Sequence, residues 1–211
     1  MSAVQGAPSA WVQRWSHLLP PVARVLDVAC GSGRHVRWFA ARGCRVTGVD
    51  RDAAALAELG DLAELVVADI ERGPWPFDGR RFDAVVVTHY LWRALMPTLV
   101  AGVAEGGVLI CETFAVGNET VGKPSNPDFL LCPGELLSMA AGLRIVAFED
   151  GFEDDTDGDS ETGTGATSAR FVQRLVAVRE APGAGRPARH LLSLRTHPSA
   201  RVKSRDSEEP A

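Results

Sequence analysis

The sequence predicts an α/β fold, a mostly parallel sheet with helices on both faces that ends in an antiparallel strand. Three observations carry this. A short apolar strand over residues 24–28 runs into a glycine turn that opens a helix, and a second strand–helix pair follows it. Residues 82–88, Phe-Asp-Ala-Val-Val-Val-Thr, are nearly all apolar, as a strand covered on both faces must be. Two late strands, 143–149 and 170–179, have no crossover helix between them, which makes them antiparallel neighbours.

At 211 residues with 45% hydrophobic content, the chain can bury one sizeable core. Residues 1–180 are assigned to that domain and 181–211 to a tail rich in Pro, Gly, Ser and Arg that is expected to be disordered. Within the domain an amphipathic helix is expected over 9–19, with Ser9 as N-cap and Trp11, Trp15, Leu18 and Leu19 on one side. Pro20 and Pro21 stop it. A helix over 34–42 follows the glycine turn, then a strand over 44–49, a helix over 52–59 capped by Asp52, and a strand over 64–68. Pro74 and Pro76 deny the crossover 70–81 a full helix. Beyond the strand 82–88 come a helix to about residue 101, a tight turn at Gly106–Gly107 and a strand over 107–111. Residues 115–133 form a long loop without periodicity. Pro133 stands at the start of the last large helix, where its missing N–H costs nothing.

Ligand chemistry collects at the strand ends. Gly31 and Gly33 lack a Cβ, so the backbone there can take positive φ and the free N–H groups of the helix start can face a ligand. Asp50 lies 17 residues after Gly33 at the tip of the second strand, where a carboxylate suits the vicinal hydroxyls of a ribose. Together they point to an adenosine-containing ligand. The third glycine of a dinucleotide fingerprint is replaced by Val36, which argues against a pyrophosphate-bearing cofactor. His89 and Tyr90 follow the strand 82–88 on the ligand side. Two roles suit His89, a general base or a cap on the following helix; Tyr90 suits the pocket wall. Glu112 ends the next strand, placed either to bind a substrate cation or accept a proton, or to hydrogen-bond loop amides. Arg93 is either an anion clamp or an exposed helix residue. The loop 115–133, with Asn118 and Lys123, leaves on the same side and is the first candidate for substrate recognition.

The run Asp27-Val28-Ala29-Cys30-Gly31-Ser32-Gly33 resembles the first motif of the class I, Rossmann-like S-adenosylmethionine-dependent methyltransferases, with Ala29 in place of the first glycine. Asp50 matches the family's ribose-binding acid, and Ala68-Asp69-Ile70 its adenine contact. The segment Cys132-Pro133-Gly134-Glu135-Leu136-Leu137 is similar to that of the small tellurite-resistance-type methyltransferases. The resemblance implies a three-layer sandwich with a seven-stranded sheet in the order 3-2-1-4-5-7-6, the last strand antiparallel. It implies S-adenosylmethionine as cofactor, held by Asp27, Ala29, Gly31, Gly33, Asp50, Asp69 and the backbone at Ile70. It places His89, Tyr90 and Glu112 near the transferred methyl group, with an unidentified small molecule as acceptor. The N-terminal helix then crosses the cofactor mouth, giving Trp11 or Trp15 either a lid role or plain packing on the sheet. Two rivals stay open, a non-catalytic S-adenosylmethionine-binding protein and a NAD(P)-binding oxidoreductase.

The net charge of −5 gives no electrostatic case for nucleic acid as an obligatory partner. With neither an apolar run of about 18 residues nor a signal peptide, the protein is expected in the cytoplasm. Cys30, Cys44, Cys111 and Cys132 show no Cys-x-x-Cys spacing, so no metal site is expected from them. Residues 150–167 read as an acidic, solvated hairpin. Its loose match to a calcium loop fails at Thr164, where a bidentate Glu is needed.

Overall fold

A computed structural model describes residues 6–154, 169–181 and 188–192. Most of the acidic hairpin, with every calcium-loop ligand position after Glu153, and most of the tail lie outside the described residues. Seven strands form one sheet: β1 (Arg24–Val28), β2 (Arg45–Asp50), β3 (Glu64–Val67), β4 (Phe82–Thr88), β5 (Val103–Phe114), β6 (Arg144–Glu153) and β7 (Arg170–Val178). Their order is β3-β2-β1-β4-β5-β7-β6, parallel throughout except that β7 runs antiparallel to both β5 and β6. This is the expected topology.

Alternation along the strands divides the core in two. Leu26, Val85, Leu109 and Leu175 face one layer, while Val25, Val86, Ile110 and Val176 face the other. The helices that cover these faces are short: α1 (Ala10–Trp15), α2 (Arg34–Ala40), α3 (Ala53–Ala57), α4 (Met96–Gly102) and α5 (Glu135–Met139). Ser9 caps α1 by accepting from the Trp11 and Val12 N–H groups, and Asp52 caps α3 through Ala54 and Ala55.

Several boundaries differ from expectation for local reasons. The N-terminal helix ends at Trp15 and tightens into a 3-10 turn, Ser16–Leu18, before the proline pair. No helix joins β3 to β4; instead Trp75, Phe77 and Phe82 stack edge to face and fill the space a crossover helix would occupy. The Gly106–Gly107 turn lies inside β5, where the register to β4 jumps from Phe82↔Val103 to Ala84↔Val108. A Cβ at Gly107 would sit 2.9 to 3.0 Å from three carbonyl oxygens, so glycine is required there. The loop 115–133 is more ordered than its composition implies. It carries two 3-10 turns, Asn118–Thr120 and Pro127–Phe129, and a bridge between Ala115 and Leu131. β6 extends to Glu153, four residues past its expected end. Among the described residues, no helix is long and apolar enough to cross a membrane.

The tryptophans of α1 are core residues. Trp11 is 4% exposed, meets Trp15 edge to face at 5.6 Å and donates its indole N–H to the Leu175 carbonyl at 3.4 Å. That hydrogen bond ties the first helix to β7, so the lid role considered for Trp11 gives way to packing. Trp11→Ala is expected to lower unfolding free energy by about 3–5 kcal/mol, read by urea denaturation. A lid would instead show full stability with impaired turnover.

Candidate functional site

The parallel strands end level with one another, with Val28 beside both Val49 and Val87, and Thr88 beside Glu112. A cavity of about 480 Å³ opens at these carboxyl ends, where open α/β sheets bind ligands. Ala29, Asp50, Asp69, Ile70, His89 and Tyr90 all line it, together with Phe114, Pro124 and Phe129.

The glycine turn meets the cavity at Ala29, while Gly31 and Gly33 stand behind its lining. Ala29, Gly31 and Gly33 have φ of 52°, 52° and 76°, and the N–H groups of Cys30, Gly31 and Gly33 donate to the Val49 carbonyl, the Asp50 carboxylate and the Cys30 carbonyl. Ala29 carries a Cβ in this region at a cost of about 1–2 kcal/mol. At Gly33 an added Cβ would meet Leu59 at 2.6 Å. The Asp50 carboxylate accepts from the Gly31 N–H at 2.8 Å and the Asp52 N–H at 2.9 Å, one bond per oxygen. Each oxygen therefore keeps a lone pair for a diol. Asp69 orders the next loop by accepting from the Glu71 and Arg72 N–H groups through one oxygen, which leaves the other to a ligand.

Asp27 stands behind the turn, 1% exposed and absent from the cavity wall. Burial raises its carboxyl to about pKa 7 against the opposing pull of Arg34, and its Oδ2 has no hydrogen-bond partner among the described residues.

The opposite wall is built around His89. Its φ of 54° is held by its own N–H donating to the Glu112 carbonyl at 2.8 Å, and its ring leans on Phe114 with centroids 5.0 Å apart. Nε2 lies 3.7 Å from Glu112 Oε1 and 3.5 Å from Arg170 Nη1, and Nδ1 lies 3.4 Å from Arg34 Nη2. Glu112 is buried, but among the described residues it accepts from no loop amide: Arg174 Nε reaches its Oε2 at 2.7 Å. Burial favours the neutral acid there, yet hydrogen bonds from His89 and Arg174 outweigh it and hold Glu112 down at about pKa 2. Arg174 also binds Glu153 at 2.7 Å and Glu149 at 3.4 Å, and Glu153 binds Arg170 at 2.6 Å. Sequence reasoning missed Arg34, Arg170 and Arg174. The strand register contained two of them, since Glu112 and Glu149 pair across the sheet with Arg174, and Glu153 with Arg170.

Tyr90 lines the cavity with its hydroxyl buried and unpartnered; burial, with Glu71 nearby, pushes its ionisation upward, so it remains a hydroxyl. Three substrate candidates do not reach the cavity. Arg93 spends its guanidinium on Glu135, with 2.7 Å from Nε to Oε1, and on the Asp128 and Leu130 carbonyls. It is a tether for the loop 115–133. Asn118 is 1% exposed, donates to the Pro124 carbonyl and accepts from the Phe171 N–H, thereby placing Pro124 in the wall. Lys123 is exposed and outside the wall. Among the described residues no cluster of His, Cys, Asp and Glu could hold a metal ion.

Removing Arg174 leaves Glu112 and Glu153 close together without their shared cation. Arg174→Met should cost about 3–5 kcal/mol at neutral pH, read by urea denaturation, with a smaller loss in acid as the carboxyls take up protons. A loss below about 1 kcal/mol, the worth of an exposed pair, would contradict the network. Asp27 titrates higher folded than unfolded, so it holds a proton in the native state that the unfolded chain has released. Its contribution to stability therefore falls as pH rises from its ordinary value of 3.8 to about 7. Asp27→Asn should remove that slope and be the more stable protein at alkaline pH.

Comparisons with known proteins agree with this geometry. Residues 25–106 match a family model described as a methyltransferase domain. No curated protein matches the chain. Among solved structures it is similar to TehB from Haemophilus influenzae, with 16% identity and a TM-score of 0.61 over 75% of this chain and 58% of that one, so it spans well under two thirds of TehB's length. A S-adenosylmethionine-dependent methyltransferase from Mesorhizobium loti superposes at TM-score 0.58 with 20% identity, over 77% of this chain and 94% of that one. The [4+2]-cyclase SpnF shares the fold at TM-score 0.52 with 21% identity, over 66% of this chain and 56% of that one. Residues 25–106 therefore match a methyltransferase domain, and the chain shares the fold of the Rossmann-like methyltransferases, TehB among them.

Proposed function

We propose that the protein is a cytoplasmic enzyme that moves a methyl group from S-adenosylmethionine to a small acceptor bearing a removable proton. The observation that carries this reading is one cavity lined by Asp50, Asp69 and His89 together. The residues fit the cofactor: a positive-φ cradle for close approach, a carboxylate with free lone pairs for a ribose, and an orphaned carboxyl for a cation. When bound, the cofactor supplies a methyl group already activated on a sulfonium, which leaves as a thioether once the acceptor's electron pair forms the new bond.

The protein's own task is alignment and proton removal. The His89 ring forms part of the wall, with Nε2 toward the Glu112 carboxylate and Nδ1 touched by Arg34 only at 3.4 Å. Nδ1 is the atom that takes the acceptor proton, and the buried carboxylate stabilises the imidazolium that results. Glu112 acts through His89, because Arg174 occupies its other oxygen. Phe114, Phe129 and Pro124 give the acceptor an apolar wall, and the Tyr90 hydroxyl gives it one hydrogen-bond partner.

SpnF, a cyclase on this fold, shows that the fold does not dictate the chemistry. A non-catalytic S-adenosylmethionine-binding role is the second reading, favoured if His89 proves idle. Asp50→Asn should weaken S-adenosylhomocysteine binding by about tenfold or more, measured by calorimetry. His89→Gln should bind it as the wild type does, while turnover of a hydroxyl or amine acceptor falls by about 10²–10⁴. Unchanged turnover would remove His89 as base, and a wild-type protein that ignores S-adenosylhomocysteine would remove the cofactor.

A further inference from the structure

Behind the glycine turn runs a buried polar chain that the reaction above does not use. Ser9, the N-cap of α1, donates its main-chain N–H to His35 Nε2 at 3.1 Å. A ring nitrogen that accepts carries no proton, so the proton of neutral His35 sits on Nδ1. Nδ1 lies 3.9 Å from Asp27 Oδ1, and the other oxygen, Oδ2, is the orphan of the site. Ser9, His35 and Asp27 are 8%, 2% and 1% exposed, so water does not substitute for these partners.

We propose that His35 is a positioning residue for Asp27, through which the docking of the N-terminal helix is coupled to cofactor binding at the glycine turn. The inference rests on the S-adenosylmethionine reading, since it takes Asp27 as the group that meets the cofactor's cationic end. The Ser9 N–H fixes the tautomer, and the tautomer turns the polarised Nδ1–H toward Asp27 across 3.9 Å, where its dipole adds to the main-chain N–H of Val36 in favouring the ionised carboxylate that a cation requires. Burial keeps the imidazole neutral, lowering its pKa to about 3, and Arg34 acts in the same direction. His35 is therefore a directed donor and not a counter-charge.

The other ionisable groups around Asp27 are Arg34 on α2, Asp50 on β2 and Cys30 in the turn, while Arg34, Glu112 and His89 act on His35. The main-chain N–H of Val36 is the direct donor to Asp27, and Nδ1 of His35 is the side-chain N–H that approaches Oδ1 from the α1 side. Arg34 reaches toward Thr88 and His89 instead, with Nη2 3.3 Å from Thr88 Oγ1. The helix α1 thus touches both halves of the site. Its start acts through His35 on Asp27, and its Arg14 binds Glu149 of the network behind His89.

Two substitutions separate the ends of the imidazole. In His35→Asn the amide stands near Nδ1 and keeps a donor for Asp27, whereas in His35→Gln it reaches the place of Nε2 and keeps only the acceptor for Ser9. Calorimetric titration with S-adenosylhomocysteine should give His35→Asn an affinity within about threefold of wild type. His35→Gln should be weaker by about tenfold at neutral pH, recovering in part as alkali ionises Asp27. Equal losses in both variants, following their thermal midpoints, would overturn the proposal and leave His35 a packing residue. In the ligand-free protein, carbon-13 NMR should show the Asp27 titration moved upward in His35→Gln and not in His35→Asn. An unmoved titration would equally overturn it. Wild-type protein that does not bind S-adenosylhomocysteine would refute the cofactor reading, and the NMR titration would still decide whether His35 governs Asp27.

Discussion

The Asp50 carboxylate holds the site together. Its two oxygens accept from the N–H groups of Gly31 and Asp52, which lie on different connections of the sheet. One side chain at the tip of β2 thereby fixes the turn after β1. That turn would not keep its shape unaided. Ala29 adopts a left-handed conformation that a residue with a Cβ resists by about 1–2 kcal/mol, and Gly33 must stay bare to clear Leu59. The parallel register that brings Val28 beside Val49 is what puts Asp50 within reach. The geometry of this turn is a consequence of sheet geometry.

The two halves of the cavity are built by different physics. The half around Asp50 is local: a strand end, a glycine turn and a helix start, closed by one carboxylate. The half around His89 is long-range, because Glu112, Glu149, Glu153, Arg170 and Arg174 come from three strands and meet only through the antiparallel register of β5, β7 and β6. Burying Glu112 with Arg174 beside it is costly unless each is paired and hydrogen-bonded. The alternation of partners meets that condition, since Arg174 serves Glu112 and Glu153 while Arg170 serves Glu153. What the network secures is a carboxylate that stays ionised beneath the imidazole.

This division explains what could be read without coordinates. Strand order was legible, and so was the placement of Asp50, Asp69, His89 and Tyr90 around one cavity, because each follows from a residue's place relative to a strand end. Trp11, Arg93 and Asn118 misled for a common reason: a large or polar side chain near a ligand-facing segment looks functional until its partners are known. The partners are remote in sequence, Leu175 for Trp11, Glu135 for Arg93 and Phe171 for Asn118. His35 was passed over as a helix residue, because nothing in the spacing of residues announces that an N-cap amide will claim its Nε2. The cross-strand charge pairs were within reach, once the hairpin of β6 and β7 is given a register.

The central claim is that one cavity takes the adenosyl part of S-adenosylmethionine on Asp50 and the glycine turn. Native mass spectrometry of the purified protein, offered equal concentrations of S-adenosylhomocysteine and NAD, tests it most directly. The account predicts a one-to-one complex with S-adenosylhomocysteine that Asp50→Asn diminishes. A complex with NAD in its place would contradict it.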